Sequence, residues 1–383
     1  VWLALVVSLA SMLLVVAAAL FALALREARQ QQHAVQVLSR YNASIWYDFQ
    51  VEAVDNRRTG VSLSPESCAQ EATPDCPAWL WQWFGVDFVA SVEEFTLTAE
   101  SLYAAEENID SLDRDFKYLR SFCALKEIGL HGLDVGDREM QYLANLQELE
   151  TVYIEYVPVT DGGLSFLSQL SKLRSLSLRG TKVKGPGLAH LARARHLEFL
   201  DLSETQLSGG NLTYLPNVPQ LRALKLKETG LRNDSLKALV RAHNLRKLIL
   251  SRTLLSDEGL KHLRVLTHLE ELYLNETRVS GPGLQHLEEL GDLARLDLQG
   301  TPMDNEGLQY LANLEALNTL DLTNTRVSKG GLLALKGLPN LGWLRFGNTS
   351  TKGGKVTLLV GTDIGRFLRG LERGGLGSGA ENE

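Results

Sequence analysis

Cysteine is nearly absent from this chain: three in 383 residues, at Cys68, Cys76 and Cys123. Three are too few for a disulfide scaffold, and their spacing fits no metal-ligand motif. Short catalytic signatures are missing too. There is no Gly-rich phosphate loop, no G-x-S-x-G elbow and no H-E-x-x-H pair, so the sequence offers no enzyme, metal centre or cofactor site. An excess of basic charge is also lacking. The net charge is −7, which argues against nucleic acid as the main partner. Finally, residues 1–25 contain no charged side chain at all.

What the chain has in quantity is leucine at a fixed interval. Leu125, Leu149, Leu173, Leu197, Leu221, Leu245, Leu269, Leu293, Leu317 and Leu341 stand 24 residues apart. Each opens the phrase L-x-x-L-x-L-x-x-T, as in Leu173, Leu176, Leu178 and Thr181, followed by a G-L-x-x-L-x-x-L half. A period in this range with this spacing is the signature of a leucine-rich-repeat solenoid. Alternation sends Leu176 and Leu178 to one face of a short strand. The spacing of three in the second half belongs to a short helical turn, with Thr160, Ser208, Ser256, Ser280, Asp304 and Ser328 in the N-cap slot. The expected fold is an α/β solenoid, an arc of about ten strand–helix repeats stabilised by stacking. The Thr column (Thr181, Thr205, Thr229, Thr253, Thr277, Thr301, Thr325, Thr349) should satisfy backbone groups in the turn. The glycines at 163, 187, 259, 283, 307 and 331 read as close helix–strand packing.

Four segments follow. Residues 1–25 are long enough to span a bilayer and are expected to be a single transmembrane anchor, with a cleaved signal peptide as the rival. Residues 26–122 form a juxtamembrane region and N-terminal cap. Within it, residues 44–51 and the stretch from Val92 to Leu97 read as strands. Residues 78–84 (AWLWQWF) read as a plug for the open solenoid end, and residues 110–122 as a helix. Cys68 and Cys76 could form a local disulfide, whereas Cys123 reads as a small buried hydrophobe. Residues 123–362 carry the repeats, with Val356 and Leu359 still in frame. Residues 363–383 hold a closing helix, marked by Ile364, Phe367, Leu368 and Leu371, and a polar tail.

The phrase T-x-V-S-D-x-G-L, the apolar N-terminal run, Trp46-Tyr-Asp-Phe49 and the segment from Pro77 to Phe88 together resemble the membrane-anchored leucine-rich-repeat proteins of planctomycete-type bacteria. That resemblance implies a single-pass membrane protein with its repeats outside the cytoplasm. It carries no catalytic residues to transfer.

Histidines form no constellation: His190, His262 and His286 fall on the outer side of the arc and read as solvated. The concave face is the candidate site. Its outward columns hold Tyr153, Phe199, Tyr273 and Trp343 among Lys225, Lys247, Arg295 and Arg345. Aromatics and arginines dominate protein-interface energetics, so these eight residues are the expected binding set, with Tyr153–Phe199 and Tyr273–Arg295 as sub-sites. The plainer alternative is an ordinary sheet surface of good β-propensity. The function expected is non-enzymatic recognition of a protein or peptide. A self-associating envelope component and a glycan-binding module are the alternatives.

Overall fold

The computed structural model describes residues 2–48, 86, 90–105, 111–209, 211–347 and 357–374. The 49–85 stretch, with Cys68, Cys76 and the tryptophan-rich plug, lies outside the described residues, as does Thr349. The chain divides into two compact units, Val1–Tyr153 and Ile154–Glu383.

In the first unit one helix runs unbroken over Trp2–Leu38. The expected membrane span does not stand: among the described residues, no helix is long and apolar enough to cross a membrane. With the span falls the single-pass placement of exported repeats. Past Arg26 the helix instead packs as a cap, burying Ala28, Gln31, Ala34, Val37 and Leu38. Gln31 ties it to the sheet: Nε2 donates to the Ala90 carbonyl at 2.9 Å, and Oε1 accepts from the Val92 amide at 3.4 Å. Below it β1 (Ser44–Tyr47) pairs antiparallel with β2 (Val92–Thr98), which pairs in parallel with β3 (Glu127–His131). Phe95 lies opposite Ile128 and Leu97 opposite Leu130 in that register, so β2 repeats the leucine phrase. The stretch read as a helix is a short α-turn, Leu112–Asp115, running into a 3-10 helix, Phe116–Ser121. Its apolar side chains Leu112, Phe116, Leu119 and Phe122 are buried at spacings of three and four. Cys123 is one position off that stripe and exposed, which corrects the buried reading. The strand β4 (Thr151–Glu155) lies at the division between the units.

The second unit is a stack of strand, turn and 3-10 helix. Its strands are β5 (Ser175–Ser177), β6 (Phe199–Asp201), β7 (Ser208–Gly209), β8 (Ala223–Lys225), β9 (Gly230–Leu231), β10 (Lys247–Ile249), β11 (Glu271–Tyr273), β12 (Arg295–Asp297), β13 (Thr319–Thr323), β14 (Trp343–Gly347) and β15 (Thr357–Val360). All but β7 and β9 belong to one sheet; those two form a small parallel pair of their own. From β5 to β14 the main strands run parallel, and register matches the leucine phrase: Leu224, Leu248, Leu272 and Leu296 stand side by side. All four are fully buried. This is the strand–turn–helix stack expected of leucine-rich repeats.

The helical halves are mostly 3-10 rather than α, as in Pro186–Arg193, Asn233–Arg241 and Gly281–Leu287. Leucines three apart eclipse each other at three residues per turn, so a 3-10 coil lines Leu236 and Leu239 on the core side. The threonine column behaves as expected. Thr181, Thr205, Thr229, Thr253, Thr277, Thr301 and Thr325 are buried, and each donates its hydroxyl to the carbonyl three residues earlier at 2.6–2.7 Å. The residue before each is left-handed, with φ between 55° and 70° at Gly180, Glu204, Glu228, Arg252, Glu276, Gly300 and Asn324. Glycine accepts that conformation freely, and other side chains hold it against a local cost of roughly 1–2 kcal/mol.

Three further expectations are corrected. The glycines face the preceding turn, not the strand: a Cβ on Gly187 would lie 2.8 Å from the Asp161 backbone. The N-cap column holds only in part. Thr160, Asp304 and Ser328 accept from the amides of Gly162, Gly307 and Gly331 at 3.2, 3.3 and 3.4 Å, whereas Ser256 makes no cap bond of its own; its amide donates to Asn233 Oδ1 at 2.9 Å, as the Ser328 amide does to Asn305. Finally, β15 does not continue the repeat direction but returns antiparallel on β14, opposite Trp343 to Phe346. The closing helix, Thr362–Gly374, follows as expected, burying Ile364 and Leu368 and setting Phe367 5.4 Å from the Phe346 ring.

Candidate recognition face

Along each main strand the leucines point inward, so the intervening residues form the outward sheet face. Of the expected binding residues, Tyr153 belongs to the first unit and the other seven to the second. In the second unit they fall into three groups.

Phe199 on β6 is half-buried beneath the Lys225 ammonium, 4.7 Å above its ring, and that lysine also faces Asp201 at 3.4 Å. Such a cation over an aromatic face contributes about 0.5–1 kcal/mol at an exposed site. On β10 and β11, Lys247 pairs with Glu271 at 2.7 Å and lies 5.3 Å over the Tyr273 ring, while the Tyr273 hydroxyl donates to Glu271 at 2.8 Å. Burial pushes the Tyr273 hydroxyl above its ordinary pKa, and the Glu271 carboxylate it bonds adds to the push; Arg295 hydrogen-bonds it in the opposite sense. Tyr273 thus shares a cluster with Lys247 and Glu271, and Phe199 is partnered by Lys225. Phe199 and Tyr273 are each roofed by a lysine, and each of these lysines is steadied by an acid. Trp343 stands half-buried beside Thr319 on one side and Val360 on the other.

The third group joins Arg345, which was expected, to two aspartates that the sequence reading did not single out. Asp297 and Asp321 are side by side in register on β12 and β13, and Arg345 comes next on β14. Arg345 reaches Asp321 at 3.6 Å. Asp297 accepts from the Gln299 amide at 2.9 Å and Asp321 from the Thr323 amide at 2.8 Å. Asp201 does likewise with Ser203. The shared signal is Asp-Leu-x two residues before the turn, with the carboxylate folding back on its own strand. A further stripe was also missed, at the left-handed positions: Arg179 bonds Glu204, and Arg252 bonds both Glu228 and Glu276 at 2.7 and 2.9 Å.

Asp297 is the electrostatically uncomfortable member. Burial pushes its carboxyl above the ordinary value and the Asp321 carboxylate adds to this, against the Gln299 bond, Arg345 and Arg295. A folded-state pKa raised above the unfolded one means stability is greatest below the unfolded value and falls as pH rises through the folded one. Asparagine would keep the Oδ1 acceptor without the charge. Asp297→Asn is therefore expected to melt at a higher temperature than the parent at pH 7, with the difference shrinking as pH falls toward 4. Paired thermal melts across that range check it, and equal melting at pH 7 would refute it.

Among the described residues no group of three His, Cys, Asp or Glu side chains is placed to hold a metal ion. His262, read as solvated, has its Nε2 buried without a partner. Burial, with Lys261 and Lys237 nearby, pulls its pKa below the ordinary value.

No family model matches the chain, and no curated protein does. Solved structures similar to it include bacterial leucine-rich-repeat proteins. One is an internalin from Listeria monocytogenes, 17% identical, covering 78% of this chain and 88% of its own, with a TM-score of 0.46. Another is a leucine-rich-repeat protein from Leptospira interrogans, 16% identical over 78% and 81%, with a TM-score of 0.47. An internalin C2 from Listeria monocytogenes is 23% identical over 56% and 84%, with a TM-score of 0.43.

Proposed function

We propose that this chain is a non-enzymatic recognition module that binds a protein or peptide on its outward sheet face. In this reading about ten repeats of 24 residues fill 123–362, residues 26–122 cap one end and residues 363–383 close the other. The observation that carries it is the set of lysine-roofed aromatics, Phe199 under Lys225 and Tyr273 under Lys247, on a single sheet face. Large, stiff rings beside paired charges are the composition of interface anchors. A purely solvated sheet has no need to order lysines over rings.

The test is capture of a partner on the immobilised chain, followed by titration of that partner against single variants. Phe199→Ser and Tyr273→Ser are expected to weaken binding by about 1–3 kcal/mol while shifting the thermal transition little. The control belongs on the helix side of the stack. His262 does not serve there because of its buried ring nitrogen, so the exposed Gln285 is used, as Gln285→Ser. Equal binding by the two sheet-face variants and the control would sink the proposal.

A further inference from the structure

Three features of β12 and β13 converge at one place. Two carboxylates, Asp297 and Asp321, stand on neighbouring strands about 4.8 Å apart. Asp297 has no ion-pair partner among the described residues; the one hydrogen bond to its carboxylate is from the Gln299 amide. Beside them is an orphan. Thr323 is 4% exposed, and among the described residues its Oγ1 has no hydrogen-bond partner. Alternation along β13 sends Leu320 and Leu322 into the core, so Thr323 shares the outward face with Asp321, whose Oδ1 its own amide bonds. Opposite Thr323 on β14 stands Gly347, which puts no side chain over it.

A buried hydroxyl without a partner and a carboxylate without a cation are each unfavourable in the free chain. Both defects are relieved by one kind of guest: a cationic group carrying several N–H donors. It would donate to the carboxylates and leave a hydrogen bond for the hydroxyl, which itself can accept. A guanidinium, planar with five donors, or an ammonium with three, meets that description. Arg345 on the far side of Asp321 and Arg295 beside Asp297 supply the opposite sign next door. They select against a plain polycation and in favour of a basic side chain followed by an acidic one.

We propose that Asp297, Asp321 and Thr323 form a pocket for a single arginine or lysine side chain of a bound peptide. It rests on the sheet-face reading above and deepens it by naming the chemistry of the partner. Asp297 is then a residue that binding uses at the expense of stability.

The experiment is a titration of the isotope-labelled full chain at pH 7 with the capped peptide acetyl-Gly-Gly-Arg-Gly-Gly-amide, reading the Gln299 and Thr323 amide resonances. The comparison peptide replaces arginine by citrulline, the same shape without the charge. Saturable shifts at both amides are expected with arginine, weakened roughly tenfold with citrulline or in Asp297→Asn, the weight of one charge-assisted bond. Thr323→Val, which removes the orphan hydroxyl without changing shape, should fold at least as well as the parent and bind the arginine peptide more weakly. Asp297→Asn is expected to be the more stable protein, so its loss of binding cannot come from unfolding. Shifts that are absent, or the same for arginine and citrulline, or unchanged in Asp297→Asn, would overturn the pocket. The two readings fail separately. A captured partner that needs Phe199, with no response to the arginine peptide, removes the pocket alone. A response at Gln299 and Thr323, with a partner indifferent to Phe199 and Tyr273, leaves the pocket and removes the aromatic site.

Discussion

Leu248→Ala is expected to destabilise the second unit by roughly 2–5 kcal/mol, the range for emptying a fully buried leucine site. Leu248 is 0% exposed and lies between Leu224 and Leu272 in the parallel ladder. In a stack whose stability is a sum of units and neighbour interfaces, a hole at one level weakens the contacts on both sides of it. Urea unfolding followed by circular dichroism should therefore show an earlier midpoint, and a broadened transition if the stack parts at the cavity. Lys247→Ala, one residue away, removes only the half-exposed Glu271 pair and the cover over Tyr273. Exposed pairs contribute about 0–1 kcal/mol, so this variant should stay within that range. If the two variants unfold alike, the inward assignment of the leucine ladder is wrong.

That ladder was legible in the sequence because alternation and the 24-residue interval agree on it at every level. Direction was not. Leu359 on β15 keeps the frame, yet β15 returns antiparallel to β14, and a period-two pattern reads the same in either direction. The same limit applies to the glycines. Gly187 was visible as a fixed position, but what crowds it is Asp161, a contact between successive turns that no local periodicity encodes. Cys123 was misplaced for a simpler reason: Phe122 takes the buried slot three residues after Leu119. The apolar run at the N-terminus suggested a helix, and a helix is there. Its half beyond Arg26, polar enough to read as a juxtamembrane segment, is what covers the first strands.

On the sheet face, the columns of aromatics and bases could be drawn from spacing alone. Their partners could not. An aspartate in an outward column looks like solvated charge, and only the structure shows Asp321 folded onto the Thr323 amide with 7% exposure. Asp297 and Asp321 are 24 residues apart, and their mutual repulsion arises because stacking makes them neighbours. In a repeat fold, electrostatics is written between equivalent positions, so it is best read down a column and not along the chain. The lysines show both relations: Lys225 faces Asp201 and Lys247 faces Glu271 in register, while each covers its ring, Phe199 or Tyr273, diagonally from an adjoining level.

The same column logic predicts what holds successive turns together on the helix side. Asp161 accepts three amides from the next level: Gly185 at 3.0 Å and Gly187 at 2.7 Å on Oδ1, and Lys184 at 3.0 Å on Oδ2. The Gly185 and Gly187 bonds are part-buried, so water does not fully replace the lost acceptor. An unsatisfied buried donor costs about 1–3 kcal/mol. Asp161→Ala is accordingly expected to lose roughly 2–4 kcal/mol, comparable to a core cavity although no apolar contact is removed. Asp161→Asn keeps Oδ1 for Gly185 and Gly187 and gives up only the exposed Lys184 bond, so it should recover most of that loss. Asn233 and Asn305 already perform this task with an amide, each accepting the serine amide 23 residues on. Amide hydrogen exchange at Gly187 supplies a local readout: protection should vanish in the alanine variant and persist in the asparagine one. Should alanine prove as stable as asparagine, with Gly187 still protected, the turns are held by leucine stacking alone and the side-chain bracket is incidental.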